Sequence, residues 1–205
     1  MKNIKLVIFD LDGVLVDACE WHRLALNQAL KEVCNYEISL EDHYNTFNGI
    51  PTRKKLKALS EMKILPLDNH DLIYEKKQDL TIEMIKKHAK IRNEKISLIN
   101  SLKEKGIKVA CYTNSIRKTA ELMLKKTGVY ELMDYVLTNQ DVTSPKPDPE
   151  GYDFLVKKFK LQKENVVIVE DSPKGKLAAY ASGCNVLEVK NPEEVSLKIF
   201  KEILK

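Results

Sequence analysis

The 205-residue chain has only four cysteines, and they are too far apart in the sequence to form a C-x-x-C pair. This spacing indicates neither a disulfide framework nor a zinc site. Cys111 lies inside an apolar run, so we expect it to be a buried free thiol. A reducing, cytoplasmic setting follows as the expectation.

Long apolar runs are also lacking. No stretch is long enough to span a bilayer, and the N-terminal apolar run ends at Asp10, too early for a signal peptide. The 34 basic and 30 acidic residues give a net charge of +4, with the lysines scattered along the chain. Scattered lysines are typical of a solvated surface, so we expect no membrane and no nucleic-acid partner.

Two nucleotide-binding signatures are absent as well, namely G-x-x-x-x-G-K-[ST] and G-x-G-x-x-G. A P-loop or a dinucleotide fold is therefore unsupported. There is no internal repeat and no low-complexity segment. A hydrophobic fraction of 43% and a charged fraction of 31% fit one medium domain, or one domain that carries a smaller insertion.

The most informative stretch that is present lies near the N-terminus. The apolar run that begins at Ile4 reads as a buried strand, and Asp10, Asp12 and Gly13 follow it directly. Side chains at i and i+2 of an extended segment project the same way, about 7 Å apart. Two such carboxylates could hold one metal ion, although D-x-D-G alone is equally compatible with a turn.

The remaining pattern divides the chain into two parts. Residues 18–88 show helical apolar periodicity throughout, and Asp17 with Glu20 resembles a capping box at the start of the first helix. From residue 94 strands alternate with helices, which is typical of a doubly wound parallel α/β sheet. We predict a core domain of residues 1–16 and 89–205, with a helical subdomain of residues 17–88 inserted into it.

Polar residues gather at the ends of the predicted strands, where ligands bind in open parallel sheets. They are Asp10 and Asp12, then Thr113, Asn114 and Ser115, then Lys146 between two prolines, and then Glu170, Asp171 and Ser172. Each group alone could cap a helix or face solvent. Together, four carboxylates at one edge would repel unless a cation and a lysine lay among them, and oxygen-only ligands favour Mg²⁺.

This inventory suits a phosphate dianion. Asp10, at the tip of the strand, can attack phosphorus and form an aspartyl phosphate once charge has been neutralised. Asp12 is then placed to protonate the leaving oxygen and later to deprotonate the attacking water.

In this order the motifs resemble those of the haloacid dehalogenase superfamily of phosphotransferases, in the branch whose helical cap follows the first strand. The resemblance covers nearly the whole chain. The motifs are D-L-D-G-V-L-V-D at 10–17, T-N-S at 113–115, Lys146 in S-P-K-P-D-P, and E-D-S-P-K-G at 170–175. The resemblance implies an α/β fold, a Rossmann-like doubly wound parallel sheet core with an inserted α-helical cap.

The resemblance also implies roles. Asp10 would be the nucleophile and Asp12 the general acid/base, while Thr113, Asn114 and Lys146 would bind the transferred phosphoryl group. Mg²⁺ would be held by the Asp10 side chain, the Asp12 backbone carbonyl and Asp171, with Glu170 as a further ligand or as the partner of one. Residues 13–17 would form the flexible connection to the cap.

The cap is where substrate choice is expected. His22, Asn48, Gly49 and Arg53 look similar to substrate-contacting positions of β-phosphoglucomutase and sugar-phosphate phosphatases. Those proteins often have Lys where Asn48 stands, and they have one residue fewer between the Gly and the Arg, a departure that favours a phosphatase over a mutase. His22 could instead be a packed helix histidine, and Arg53 could lie on a solvated face.

The leading hypothesis is therefore a Mg²⁺-dependent phosphomonoester hydrolase for a small phosphorylated metabolite, for example a sugar phosphate, acting as a monomer or weak homodimer. A phosphosugar mutase is the alternative. Dehalogenases and phosphonate-cleaving relatives lack the second aspartate, so the presence of Asp12 argues against both activities. A non-enzymatic phospho-accepting module of the response-regulator kind is disfavoured, because receivers are much shorter and have no helical insertion.

Overall fold

A five-stranded parallel sheet lies at the centre of the structure, a computed structural model that describes residues 3–47 and 49–200. The strands lie in the order β3-β2-β1-β4-β5. They are β1 (Leu6–Phe9), β2 (Lys108–Tyr112), β3 (Tyr135–Leu137), β4 (Val166–Glu170) and β5 (Asn185–Glu188). The predicted doubly wound α/β sheet is thereby confirmed.

Helices fill the chain between the strands. They are α1 (Cys19–Cys34), α2 (Leu40–Asp42), α3 (Thr52–Glu61), α4 (His70–His88), α5 (Asn93–Glu104), α6 (Arg117–Thr127), α7 (Glu150–Lys158), α8 (Pro173–Ser182) and α9 (Leu197–Phe200). A π-helical turn over His43–Phe47 continues α2. No helix in the described ranges is both long and apolar enough to cross a membrane.

The first helix does not begin as the capping-box pattern predicted. Its N-cap residue is Ala18, whose side chain makes no capping hydrogen bond. Glu20 instead pairs with Arg23 one turn further on. That ion pair occupies the carboxylate that a capping box would need, so the prediction for Asp17 was wrong.

The two faces of the sheet bury alternate residues of each strand, as the pleat requires. Val7 and Phe9 of β1 pack into one hydrophobic cluster together with α5 and α6. Leu6 and Ile8 pack into a second cluster with α7 and α8. Cys111 is buried as a free thiol in the first cluster, as its apolar surroundings predicted.

Strand β1 is central, and this fixes where its aspartates lie. Phe9 is in register with Cys111 of β2 on one side and Val169 of β4 on the other. Asp10 is therefore level with Tyr112 and next to Glu170, at the point where the strand order reverses. Ligands of open α/β sheets bind at this crevice.

Helices α1 to α4 have a hydrophobic cluster of their own. Leu26 and Leu30 of α1, Leu56 and Leu59 of α3, and Ile73 of α4 are buried in it. The C-terminal end of α4, at Ile85, packs instead into the hydrophobic cluster that contains Val7 and Phe9 of β1. We retain the division at residues 17 and 88 as a proposal.

Candidate active site

A lysine and a carboxylate form the buried centre of the site. The Lys146 Nζ atom lies 2.6 Å from Asp10 Oδ1, 2.5 Å from Glu170 Oε1 and 2.9 Å from the carbonyl oxygen of Tyr112. Its ammonium also lies 4.7 Å from the ring centre of Tyr112 and 5.3 Å from that of Tyr152. Lys146 is 3% exposed, so water cannot compete for these three hydrogen bonds. The ammonium is fixed beside Asp10.

Glu170 is fully buried and held at both of its carboxylate oxygens. Oε1 accepts the Tyr152 hydroxyl at 2.8 Å as well as Lys146. Oε2 accepts the backbone N–H of Asp171 at 3.1 Å and that of Ser172 at 3.3 Å. A Cβ at Gly175 would lie 2.0 Å from this carboxylate, so the first turn of α8 can approach only because residue 175 is glycine.

Three carboxylates converge where β1 and β4 end. Oxygens of Asp10, Glu170 and Asp171 all lie within 4.8 Å of one another. Asp171 Oδ1 is buried and has no hydrogen-bond partner among the described residues. Burial, reinforced by the charge of Glu170, raises the pKa of Asp171 from 3.8 to about 7.

The same crowding acts on Asp10. Burial raises its pKa well above the ordinary value, against the opposing effect of Lys146. Hard oxygen donors, an orphaned carboxylate oxygen and raised carboxylate pKa values together fit a hard divalent cation at this cluster.

Asp12 lies in a contrasting environment. Its Oδ1 is 3.0 Å from His22 Nε2, and its Oδ2 accepts the hydroxyls of Thr113 at 3.2 Å and Ser115 at 2.8 Å. Burial would raise the pKa of Asp12, but His22 and these hydrogen bonds outweigh it, and the pKa is lowered. The carboxylate of Asp12 is therefore separate from the three-carboxylate cluster, and a metal contact through its backbone carbonyl stays a prediction.

The second ring nitrogen of His22, Nδ1, is in contact with a lysine. Lys77 Nζ lies 3.0 Å from His22 Nδ1. An ammonium can only donate, so Nδ1 accepts, and the proton of the neutral ring lies on Nε2 and is donated to Asp12. Burial and the charge of Lys77 lower the pKa of His22, which favours this neutral form.

Asn114, predicted to bind phosphate, uses its side chain to connect two loops. Its Nδ2 donates to the carbonyl oxygens of Gly49 and Lys146, each at 3.0 Å, and its Oδ1 accepts the Lys146 N–H at 3.1 Å. The amide therefore joins the cap loop to the loop that carries Lys146. Any phosphate contact by Asn114 stays a prediction.

The other cap residues that were predicted to contact substrate differ in their positions. The Arg53 side chain is 62% exposed and pairs with Asp71 at 2.8 Å. Gly49 lines the cavity with φ +74°. Asn48 lies outside the described residues.

One cavity brings most of the predicted residues together, between the edge of the sheet and the helices of the cap. Its wall includes eight of them: Asp10, Asp12, His22, Gly49, Arg53, Thr113, Asn114 and Lys146. Glu170 and Asp171 lie beside Asp10 without forming part of that wall.

The amino-acid sequence of this chain matches a known protein family. The family model described as haloacid dehalogenase-like hydrolase matches residues 7–189. The chain belongs to the haloacid dehalogenase-like hydrolase family. It is therefore an enzyme of the hydrolase class.

Individual relatives in the family are distant. A phosphoglycolate phosphatase of Pasteurella multocida is 29% identical over 91% of this chain and 86% of its own length. A phosphorylated carbohydrates phosphatase of Thermotoga maritima is 28% identical over 86% and 81%. The crystal structure of a β-phosphoglucomutase from Clostridium difficile has a TM-score of 0.82 with 20% identity, covering 98% of this chain and all of that one, a likeness of fold.

Two site residues of this hydrolase were missed by sequence reasoning: Tyr152, which bonds to Glu170, and Lys77, which bonds to His22. Ser115 was placed at the strand end, but its bond to Asp12 was not foreseen. Lys77 follows Ile73 by four residues and precedes Thr81 by four, so it interrupts the buried face of α4. A lysine on an otherwise buried helical stripe was the available signal.

Proposed function

We propose that the chain is a Mg²⁺-dependent phosphomonoesterase that acts on a small phosphorylated metabolite through an aspartyl phosphate on Asp10. The observation that carries this proposal is the contrast between the two aspartates of one motif. Asp10 is joined to a fixed ammonium and to a cluster suited to a cation, whereas Asp12 is held by neutral donors. Two carboxylates in contrasting environments are suited to two different roles.

In the first half-reaction an Asp10 oxygen forms a bond to phosphorus, and the bond from phosphorus to the alcohol oxygen breaks. The proton that the leaving oxygen needs comes from Asp12, whose pKa rises when a phosphate dianion lies next to it. Lys146 stays beside the transferred group and balances its charge.

In the second half-reaction Asp12 takes a proton from water, and the water oxygen displaces Asp10 from phosphorus. Inorganic phosphate leaves and the Asp10 carboxylate is restored. The lowered pKa of Asp12 suits this step, because an ionised carboxylate must accept the proton.

Mg²⁺ would be held by Asp10 and Asp171, which form the three-carboxylate cluster together with Glu170. The ion, when bound, would neutralise phosphate charge during the approach of the Asp10 carboxylate. The five hydrogen bonds to the oxygens of Glu170 favour a role in fixing Lys146 and Asp171 over direct coordination.

Phosphate release from a panel of small phosphoesters tests the function. We expect turnover that requires Mg²⁺ and is abolished in Asp10→Asn. Asp79→Asn is the matched control, since Asp79 is exposed on α4 outside the cavity. Turnover that survives both EDTA and Asp10→Asn would contradict the mechanism.

The named relatives that are phosphatases favour hydrolysis, whereas the likeness to β-phosphoglucomutase is one of fold. Isomerisation of a sugar phosphate that outpaces phosphate release would instead establish the mutase. Monomeric or weakly dimeric assembly and a cytoplasmic setting stay part of the proposal.

A further inference from the structure

Two lysines of the cap are buried in the wall of the cavity. Lys55 of α3 is 7% exposed and Lys77 of α4 is 6% exposed, and both line the cavity that contains Asp10 and Asp12. Neither forms an ion pair with a carboxylate in residues 3–47 or 49–200. The cavity therefore holds two cations for which these residues supply no paired anion.

The charges in the cavity wall are segregated. Among the described lining residues, the carboxylates are Asp10 and Asp12, both from the edge of the sheet. The helical part contributes no carboxylate to the wall in the part of the chain that the structure describes, but five basic side chains: His22, His43, Arg53, Lys55 and Lys77. A ligand that reaches from Asp10 toward the helices therefore meets positive charge at its far end.

Burial of these lysines is unfavourable for the fold. Burial lowers the pKa of Lys55 to about 8, and burial together with the charge of Lys55 lowers the pKa of Lys77 to about 7. Replacement of a buried ion pair by apolar side chains is often neutral or stabilising, and an unpaired buried cation lacks even the attraction of a partner. Lys77 at least holds His22, whereas Lys55 makes no side-chain hydrogen bond to any described residue. The fold itself does not require the Lys55 ammonium.

We propose that Lys55 and Lys77 form a second anion subsite, which binds a distal carboxylate or phosphate on the phosphoester whose phosphoryl group is transferred to Asp10. This rests on the proposed phosphatase function and narrows its substrate class to small phosphoesters with two anionic ends. An oxyanion would neutralise two buried ammonium groups at once. A distal hydroxyl would leave both charges uncompensated, so neutral polyol phosphates are the poorer substrates.

Arg53 is not part of this subsite. Its guanidinium is exposed and bound to Asp71, and it lies 4.3 Å from the ring centre of Tyr74. The sequence led us to expect a cationic role for Arg53, but the buried cations of the cavity wall are Lys55, two residues further along α3, and Lys77 of α4.

The test uses three alkyl phosphates of the same chain length, ending in a hydroxyl, a carboxylate or a second phosphate. Calorimetric binding to full-length Asp10→Asn measures affinity without turnover, and kcat/KM is measured on the active enzyme. We expect either oxyanion to be favoured over the hydroxyl by about 10- to 100-fold, the range of a charge-assisted hydrogen bond. The better of the two anionic arms identifies the oxyanion.

Lys55→Met should abolish this preference, because affinity and kcat/KM for the two anionic compounds should fall toward those for the hydroxyl compound. Its melting temperature should equal or exceed that of the parent, which separates lost recognition from misfolding. Lys57→Met is the matched control, because Lys57 lies on the same helix but is 74% exposed and pairs with Glu61. It should retain the preference.

Equal affinity for all three compounds in the parent protein, or a preference that survives Lys55→Met, would overturn the subsite. Preferential binding of the anionic compounds without turnover of any phosphoester would support the subsite and overturn the phosphatase proposal. The two failures are therefore distinguishable.

Discussion

His22 Nε2 lies 3.0 Å from Asp12 Oδ1, across a separation of ten residues that spans the start of helix α1. This contact connects the cap to the aspartate that is proposed to move the proton. Because Lys77 holds the other ring nitrogen, the donor direction toward Asp12 is set. His22 is a positioning residue for Asp12.

Replacement His22→Gln should lower kcat by about 10- to 100-fold and change KM less, since the proton-transfer step loses its oriented partner. His22 helps to lower the pKa of Asp12 against burial. Its loss should therefore shift the acidic limb of the kcat–pH profile upward. His88→Gln is the control, because His88 is exposed and stacks on Trp21. An unchanged pH profile in His22→Gln would contradict this role.

In the protein without bound metal, the free energy of unfolding should decrease as pH rises. The pKa of Asp171 is raised from 3.8 to about 7, so the folded state binds more protons than the unfolded state between these values. The free energy of unfolding therefore decreases from about pH 4 to about pH 7. Bound Mg²⁺ should reverse this trend and stabilise by about 2.7 kcal/mol at one hundred times its dissociation constant.

Denaturant unfolding across this pH range, with Mg²⁺ or EDTA, measures the effect. Asp171→Asn should flatten the pH dependence in EDTA and remove most of the Mg²⁺ stabilisation. A pH slope that is identical in the variant and the parent would assign it to other groups.

Gly13→Ala should damage the carboxylate cluster. Gly13 has φ +90°, and a Cβ there would lie 2.2 Å from Asp171 Oδ2. Gly106→Ala is a matched control, because Gly106 also has a positive φ, +75°, but nothing lies within 4 Å of its Cβ position. Backbone strain alone should cost about 1–2 kcal/mol in both variants.

The displacement of Asp171 should add about 1–3 kcal/mol in Gly13→Ala and weaken Mg²⁺ binding in that variant alone. Urea unfolding and Mg²⁺ titration compare the two variants. Equal losses in both would show that Asp171 tolerates the added methyl group.

Asn114→Asp should loosen the connection between the cap loop and the Lys146 loop. The substitution replaces an amide that donates to the carbonyls of Gly49 and Lys146 with oxygens that repel them. We expect a loss of about 1–3 kcal/mol in stability and a fall in kcat/KM. Asn165→Asp is the control, since its amide donates to the Asn3 carbonyl on an exposed surface. A variant with parental kcat/KM would contradict the proposed coupling of the two loops.

Local sequence determined the order of strands and helices and the residues at the strand ends. Continuous apolar runs, buried on both faces of the sheet, specify β1 and β4, and parallel pairing carries their carboxyl ends to one edge. Asp10 and Glu170 were therefore predictable at the same edge of the sheet, because parallel strands place their carboxyl ends together. That β1 and β4 are adjacent is known from the structure. The match of the family model over residues 7–189 agrees with those motifs.

Tertiary structure alone decided which cap cations are buried in the cavity wall. Arg53 and Lys55 are two residues apart on one basic helix, and composition does not distinguish them. The packing of α3 against α4 turns Lys55 inward and leaves Arg53 to pair with Asp71. The rotation of a helix relative to its neighbour depends on contacts between residues that are distant in sequence. The groups that would choose the substrate could therefore not be inferred from local motifs. The site for the transferred phosphoryl group could, because its residues follow directly from the strand ends.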